Sequence, residues 1–543
     1  MMMRPLKKRT ANKPEANATT VYVVAGTAES DDKMDSNMRI TETNGNMGGE
    51  AENPHDLRSD DGLLKGEDEV ATGDRDASHK GAGLDGVSAE NIGRKYKTYK
   101  RRWFGLFQLV LLNIVVSWDW LTFSANSTTT SQFYGVSISA INWLSTSFLF
   151  SFVAISPVVL WILHKSGPTY SIMISSALLL CGNWIRYGAT RAGGHYGALM
   201  FGQIIIGFAQ PFVLAAPTRY SDLWFTSRGR VAATAAMSLA NPLGGALAQL
   251  INPFWAGDGQ SDRVPSMVLY IAIIATVASI PSLFIPHAPP TPVAASSEEA
   301  KYALRPSFKL LARSPEFYLV AIPFMIYVGL FNSLSTLINN MLAPYGFSET
   351  EAGIAGALLI VVGLVTCAIT SPIIDRNKMH LLAVKICVPL IALSYLAFTF
   401  APSTRSIPAI YVILSILGAS SFTLMPVALE YMIELTHPVS PETSSTFCWT
   451  GGQLTGTIFI LVSEALKAPG LSDGSTDDGT TRPPGNLYNA LTFQAVFAMV
   501  VLPLPMVLGL FGRHKEVRLR RVDADYQATV RRDSESAGVT QIP

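Results

Sequence analysis

From about residue 103 onward the chain alternates long apolar runs with short polar connections. Twelve runs, at about 104–124, 138–163, 168–190, 196–217, 229–253, 265–285, 316–342, 351–373, 381–401, 407–433, 443–466 and 486–512, stand out. Each approaches the roughly 20 residues that a helix needs to cross about 30 Å of hydrocarbon. One internal connection is long. It runs from His287 to Arg313, carries Pro289-Pro290-Thr291-Pro292 and then Lys301, Arg305, Lys309 and Arg313, and divides the spans six and six. The pattern predicts an all-α membrane protein of twelve transmembrane helices in two six-helix bundles, 103–286 and 315–512, joined by a connection at 287–314. Residues 1–102 mix Gly, Ser, Asp, Glu, Asn and Lys without an apolar run of useful length, and 513–543 are charged, so both are expected to be disordered tails.

The basic residues orient the spans. Arg94, Lys95, Lys97, Lys100, Arg101 and Arg102 lie directly before the first span. Lys165, Arg219, Arg228, Arg230, Arg376, Lys378 and the tail from Arg513 fall on the same side, together with the central connection, whereas the opposite connections hold one or two each. Both termini are therefore expected in the cytosol. Net charge is +1, which excludes a strongly basic nucleic-acid binder, and only 15% of residues are charged. Cys181, Cys367, Cys387 and Cys448 sit in or at the ends of apolar runs, without the spacing of a metal site. Neither a Walker loop, a nucleophile elbow, a zinc-protease helix nor a dinucleotide fingerprint occurs. The histidines, including His164, His195, His287, His380 and His437, fall in tails, connections and span ends. No enzyme activity, metal or cofactor is expected.

Polar side chains inside apolar spans are functional candidates by default, because burying them in hydrocarbon is costly. The first span reads Val116-Ser117-Trp118-Asp119-Trp120-Leu121-Thr122. Asp119 and a Trp face together would attract a cation; alternatively both indoles belong to an interfacial belt and Asp119 reaches water. Trp118 and Trp120 are about 200° apart on a helix, so only one can face a central site. Gln210 precedes Pro211 in the fourth span, and Gln453 follows Gly451-Gly452 in the eleventh. These, with Asn332 in the seventh and Asn241 in the fifth, either orient a ligand or serve as hydrogen-bonded glue between helices.

Two features relate the halves. Pro217 and Pro426 lie near the ends of the fourth and tenth spans, and the same 27-residue step from each reaches Gly244 and Gln453. Ser371-Pro372-Ile373-Ile374-Asp375-Arg376-Asn377-Lys378, between the eighth and ninth spans, resembles the loop signature of the major facilitator superfamily, whose fold is two six-helix pseudo-repeats. That signature implies a gate in which Asp375 caps a helix and Arg376 pairs with an acid, here Glu430 or Glu434. The first-half copy, Leu163 to Pro168, lacks the Asp-Arg pair.

More specific runs resemble the feline leukaemia virus subgroup C receptor-related transporters of that superfamily. They are Phe133-Tyr134-Gly135-Val136, Ile141-Asn142-Trp143-Leu144-Ser145, Ala209-Gln210-Pro211-Phe212, Ala216-Pro217-Thr218-Arg219, Asn241-Pro242-Leu243-Gly244 and Leu334-Ser335-Thr336-Leu337. Met425 to Glu430 and the central Pro-rich run are most similar to the branch of proteins named only as major-facilitator-domain-containing. The resemblance implies an alternating-access transporter of a small, cationic metabolite such as choline or ethanolamine. Its ligand residues fall on Trp120, Gln210 and Gln453, while Asn332 stands where choline-type members have Tyr and Asp119 where one has Gln. A proton-coupled carrier of a neutral metabolite such as pyridoxine, a haem exporter, and a receptor or scaffold without flux are the competing expectations. The partners expected are a small molecule and the bilayer, for a monomer in the plasma membrane or a vacuolar or lysosomal one. Asn126-Ser127-Thr128 forms a glycosylation sequon next to the first span.

Overall fold

The computed structural model describes residues 98–291, 293, 304–377, 379–436, 439, 441–469 and 482–507. The two tail segments expected at 1–102 and 513–543, apart from 98–102, lie outside the described residues, as does the end of the last span beyond 507. The described residues are helical, with no strand among them.

In the first half the helices are α1 (Arg102–Leu121), α2 (Ser127–Tyr134), α3 (Ile138–Ser166), α4 (Pro168–Arg191), α5 (Tyr196–Leu214), α6 (Ala216–Trp224), α7 (Ser227–Ala256) and α8 (Val264–Ser279). Then come α9 (Leu304–Ala312), α10 (Pro315–Leu342), α11 (Glu349–Asn377), α12 (His380–Phe400), α13 (Ile407–Thr436), α14 (Pro441–Ala465), α15 (Tyr488–Val501) and α16 (Pro503–Met506). Among the described residues nine helices are long and apolar enough to cross a membrane. The long helices α4, α7 and α14 fall below that standard because their sequences are interrupted by Gly, Ser, Thr, Asn, Gln and charged residues. Small and amide side chains suit helices that pack against other helices better than helices that face lipid.

Three departures from the apolar pattern matter. The first span stops at Leu121, and a turn leads into the separate helix α2, where the pattern suggested a plain connection. The connection between the halves contains α9. Ser371 to Asn377, read as loop, is the last turns of α11.

Within the first half α1 packs on α7, α4 on α5 and α3 on α5; in the second α10 packs on α14, α11 on α13 and α12 on α13. The halves meet through α7 against α11 and α3 against α14. Close approach has a visible cause: a Cβ on Gly244 would collide with the Ile114 carbonyl, and one on Gly418 with the Leu359 carbonyl. Around the bundle, Phe107, Trp161, Phe201, Phe254, Leu283, Phe284, Ile369 and Val500 are exposed. So large an outward apolar surface is what a bilayer would cover.

Candidate functional site

Where α1, α5 and α7 of one half face α10, α13 and α14 of the other, a cavity opens. Trp120, Gln210, Asn332 and Gln453, four residues singled out by sequence, all line it. So does Asn241. Their polar groups are paired with one another or left open: the Asn332 amide donates to Gln453 Oε1 at 2.9 Å, while Gln210 Oε1 is buried with no protein partner. Trp120 Nε1 is buried and likewise without a partner. A buried donor and a buried acceptor left open at one cavity are places for ligand or water atoms, since such groups are costly when unpaired. Gly456 carries no Cβ because one would meet Asn332, which lets the amide reach Gln453.

The rest of the wall is aromatic. Phe324, Tyr327 and Phe331 lie along one face of α10 at steps of three and four, Phe422 comes from α13, and Trp449 lies one turn before Gln453 on α14. Phe331 and Phe422 meet edge to face at 5.5 Å, and Phe324 and Trp449 do so at 5.5 Å. No charged side chain is among the lining residues. Sequence inspection did not single out Tyr327, Phe331 or Trp449. Their signal was the spacing of Phe324, Tyr327 and Phe331 at steps of three and four, and of Trp449 four residues before Gln453.

Asp119 does not line the cavity. The expected carboxylate in the ligand site is corrected by a charge that sequence inspection missed. Arg186 on α4, itself inside an apolar span, places Nη1 3.2 Å from Asp119 Oδ1, and both side chains are fully buried. Asn183 donates to Asp119 Oδ2 at 2.7 Å. The guanidinium also lies 4.8 Å from the centre of the Phe123 ring. A buried carboxylate thus meets its opposite charge and a hydrogen-bond donor, as buried charges must. Trp118 turns the other way from Trp120: its Nε1 donates to Asn252 Oδ1 at 2.9 Å and its ring stacks on Trp255. Nearby on α2, burial pushes the Tyr134 phenol up to about 12, with the Arg186 guanidinium acting in the opposite direction. Thr190 gives its proton to the Arg186 carbonyl, so Tyr134 is the donor in the 2.7 Å bond between the two hydroxyls.

At the end of the bundle that holds α2, the two halves are tied by hydrogen bonds. Ser348 and Glu351 form a reciprocal capping box at the start of α11, with Ser348 N–H donating to Glu351 Oε2 and Glu351 N–H to Ser348 Oγ. Glu349, free of that duty, reaches across. It accepts from the N–H groups of Thr128 and Thr129 in the first turn of α2, from the Thr129 hydroxyl and from the Asp258 N–H. Asp258, in a left-handed conformation at φ 50°, accepts in turn from Glu349 N–H and from the Thr350 hydroxyl. Ser127 donates to Asn340, and Asn142 on α3 donates to Glu464 on α14. Asn126, of the sequon, is fully buried and donates to the Ala256 carbonyl at 2.6 Å.

At the other end, Arg376 is exposed in the last turn of α11. The side chains of its expected gate partners, Asp375, Glu430 and Glu434, lie outside the described residues.

Against known proteins, residues 109–460 match the family model described as Major Facilitator Superfamily. The chain is 32% identical to Solute carrier family 49 member A3 of Danio rerio, over 70% of this chain and 82% of the relative. To the choline/ethanolamine transporter FLVCR1 of Felis catus it is 28% identical, over 67% of this chain and 68% of the relative. Among solved structures, a bacterial homologue of the human lysosomal transporter Spinster superposes with a TM-score of 0.55 at 13% identity, over 76% of this chain and 97% of that one. At that identity the likeness concerns the fold alone.

Proposed function

Because this chain belongs to the major facilitator superfamily, and within it to the feline leukaemia virus subgroup C receptor-related transporters, we propose that it carries a small organic cation across the bilayer by alternating access. Membership makes it a multi-pass membrane transporter and not an enzyme. The proposal adds twelve spans, from α1, α3, α4, α5 with α6, α7 and α8 in one half and their counterparts α10 to α15 in the other, with both termini in the cytosol. The relatives named choline/ethanolamine transporters support the substrate class.

The observation that carries the reading is the cavity between the halves, walled by aromatic faces and amides with no ionic side chain. An ammonium group is held by such a cage through ring quadrupoles, at about 0.5 to 2 kcal/mol per face. Trp120 supplies one face from the first half; Tyr327, Phe331 and Trp449 supply others from the second. Asn332, in place of a family Tyr, does not empty the cage, because Tyr327 and Phe331 stand on the same helix. Gln210 and the Asn332–Gln453 pair would bond the polar remainder of the ligand. In this reading Asp119 holds Arg186 and leaves the ligand to the rings.

The absence of a carboxylate in the wall also suits a second reading, an uncharged metabolite with a ring that stacks on Trp120. Thermal stability of the purified protein against choline, ethanolamine, other amines, pyridoxine, neutral metabolites and haem separates the two, because a ligand that binds only the native state raises the midpoint. The cation reading requires a shift from an amine that Trp120→Ala removes. A shift confined to uncharged compounds sinks it in favour of the second.

A further inference from the structure

The end of α1 is buried inside the first half, and its last carbonyls are not left open. A helix end leaves four C=O groups without partners of its own. Here Trp118 O accepts from the Thr122 hydroxyl at 3.0 Å and Leu121 O from the Ala125 N–H at 3.2 Å. The two between them are taken by other helices. Asp119 O accepts from Gln203 Nε2 on α5 at 3.2 Å and from Arg186 Nη1 on α4 at 3.4 Å. Trp120 O accepts from the Ser145 hydroxyl on α3 at 3.2 Å. Just beyond the helix, Thr122 O accepts from Asn252 Nδ2 on α7 at 3.0 Å.

We propose that Gln203 and Ser145 are positioning residues for the ligand cavity: by capping the carbonyls of Asp119 and Trp120 they set the direction in which the Trp120 indole enters it. The inference rests on the reading of this cavity as the ligand site. The cause is mechanical. Trp120 sits in the last turn of α1, where a helix frays most easily, and its own Nε1 has no partner to hold the ring. The ring, 5% exposed, is held by packing and by the backbone that carries it, and that backbone is fixed by side chains that do not line the cavity. Neither Gln203 nor Ser145 is among its lining residues. Both are buried, Gln203 completely and Ser145 to within 1%. Arg186 shares the task but also neutralises Asp119, so its substitution would mix two effects; Gln203 and Ser145 carry no charge and report on position alone.

The test uses the full chain in nanodiscs with 5-fluorotryptophan in place of its nine tryptophans. The Trp120 fluorine resonance is assigned by its absence in Trp120→Phe. Gln203→Met, Ser145→Ala and, as the conservative variant, Ser145→Thr are then compared. The expected result is a moved or broadened Trp120 resonance in Gln203→Met and Ser145→Ala, with the other resonances in place, and recovery in Ser145→Thr. In proteoliposomes, choline uptake should show a KM raised roughly three- to tenfold at an unchanged maximal rate, the loss of one hydrogen bond's worth of order. In a Trp120→Ala background the same changes should add nothing, because residues that act through one another are not additive. An unmoved Trp120 resonance in both Gln203→Met and Ser145→Ala overturns the inference, as does a full additional effect in the Trp120→Ala background. If the wild type neither binds nor carries choline or any other amine, the cation reading fails instead, and the fluorine spectra still decide whether these residues position Trp120.

Discussion

Glu349 and Asp258 cap each other across the two halves: the Asp258 N–H donates to Glu349 Oε2 at 2.9 Å and the Glu349 N–H donates to Asp258 Oδ1 at 2.9 Å. One acid belongs to the start of α11 and the other to the turn after α7. The carboxylates also cap the neighbouring helix ends, so each half closes the other's open N–H groups. In the proposed orientation this is the outer mouth, shut.

Opening that mouth requires the exchange to be undone. Glu349→Ala should therefore favour the state open on the α2 side. Hydrogen bonds to a carboxylate contribute about 1.5 to 3 kcal/mol, so the ratio of open to closed should move roughly 10- to 100-fold. A cysteine placed at Ser127 and tested with a membrane-impermeant thiol reagent reads the change. Unaltered reactivity in Glu349→Ala would show that the contacts do not govern the mouth.

Breaking one member of the Asp119–Arg186 pair should be worse than removing both. Asp119→Asn leaves a guanidinium buried without its charge partner, at a cost of about 3 to 5 kcal/mol. Asp119→Asn with Arg186→Gln should recover much of that. Thermal midpoints of the purified single and double variants decide it: a double variant as unstable as the sum of the two would contradict a paired role.

Trp120→Ala should weaken amine binding by roughly 2- to 30-fold, the range of one cation–π face. Trp120→Phe should keep most of the binding and lose only what Nε1 donates. Ligand-induced thermal shifts at graded amine concentrations measure both. Equal losses in the two variants would mean that the indole N–H, and not the ring face, carries the contact.

Gly244→Ala and Gly418→Ala should each destabilise the fold by about 1 to 3 kcal/mol, because the added methyl must displace a backbone carbonyl of the neighbouring helix. Lower yield and a lower thermal midpoint are the expected outcomes. Gly135→Ala offers a contrast with no neighbour in reach, its cost arising from φ of 64° alone.

Asn126 should carry no glycan in the folded protein, since its amide is buried and engaged with Ala256. Site-resolved mass spectrometry on protein from a glycosylating host tests this. Modified Asn126 in folded material would mean that the segment before α2 opens.

The hydrophobic pattern foretold most of the helices within a few residues because a span of lipid-facing apolar side chains is written locally. Trp120, Gln210, Asn332 and Gln453 were legible for the related reason that a polar or indole side chain inside such a span is conspicuous. Asp119 misled because its partner is 67 positions away on α4: nothing local distinguishes a carboxylate that waits for a ligand from one already matched by Arg186. Glu349 and Asp258 escaped notice altogether. Acids in connections are ordinary, and only the fold brings these two connections together.

The ties on the end of α1 all come from its own half, from α3, α4, α5 and α7, whereas most of the aromatic wall opposite belongs to α10, α13 and α14. A rocking motion that separates the halves therefore divides the ligand's surroundings along a fixed seam, Trp120 leaving with one wall and Tyr327, Phe331 and Trp449 with the other. Grip and release would then need no separate trigger. A molecule too short to touch both walls could enter but would gain nothing from their closure, so the width of the gap would act as a ruler on the cargo.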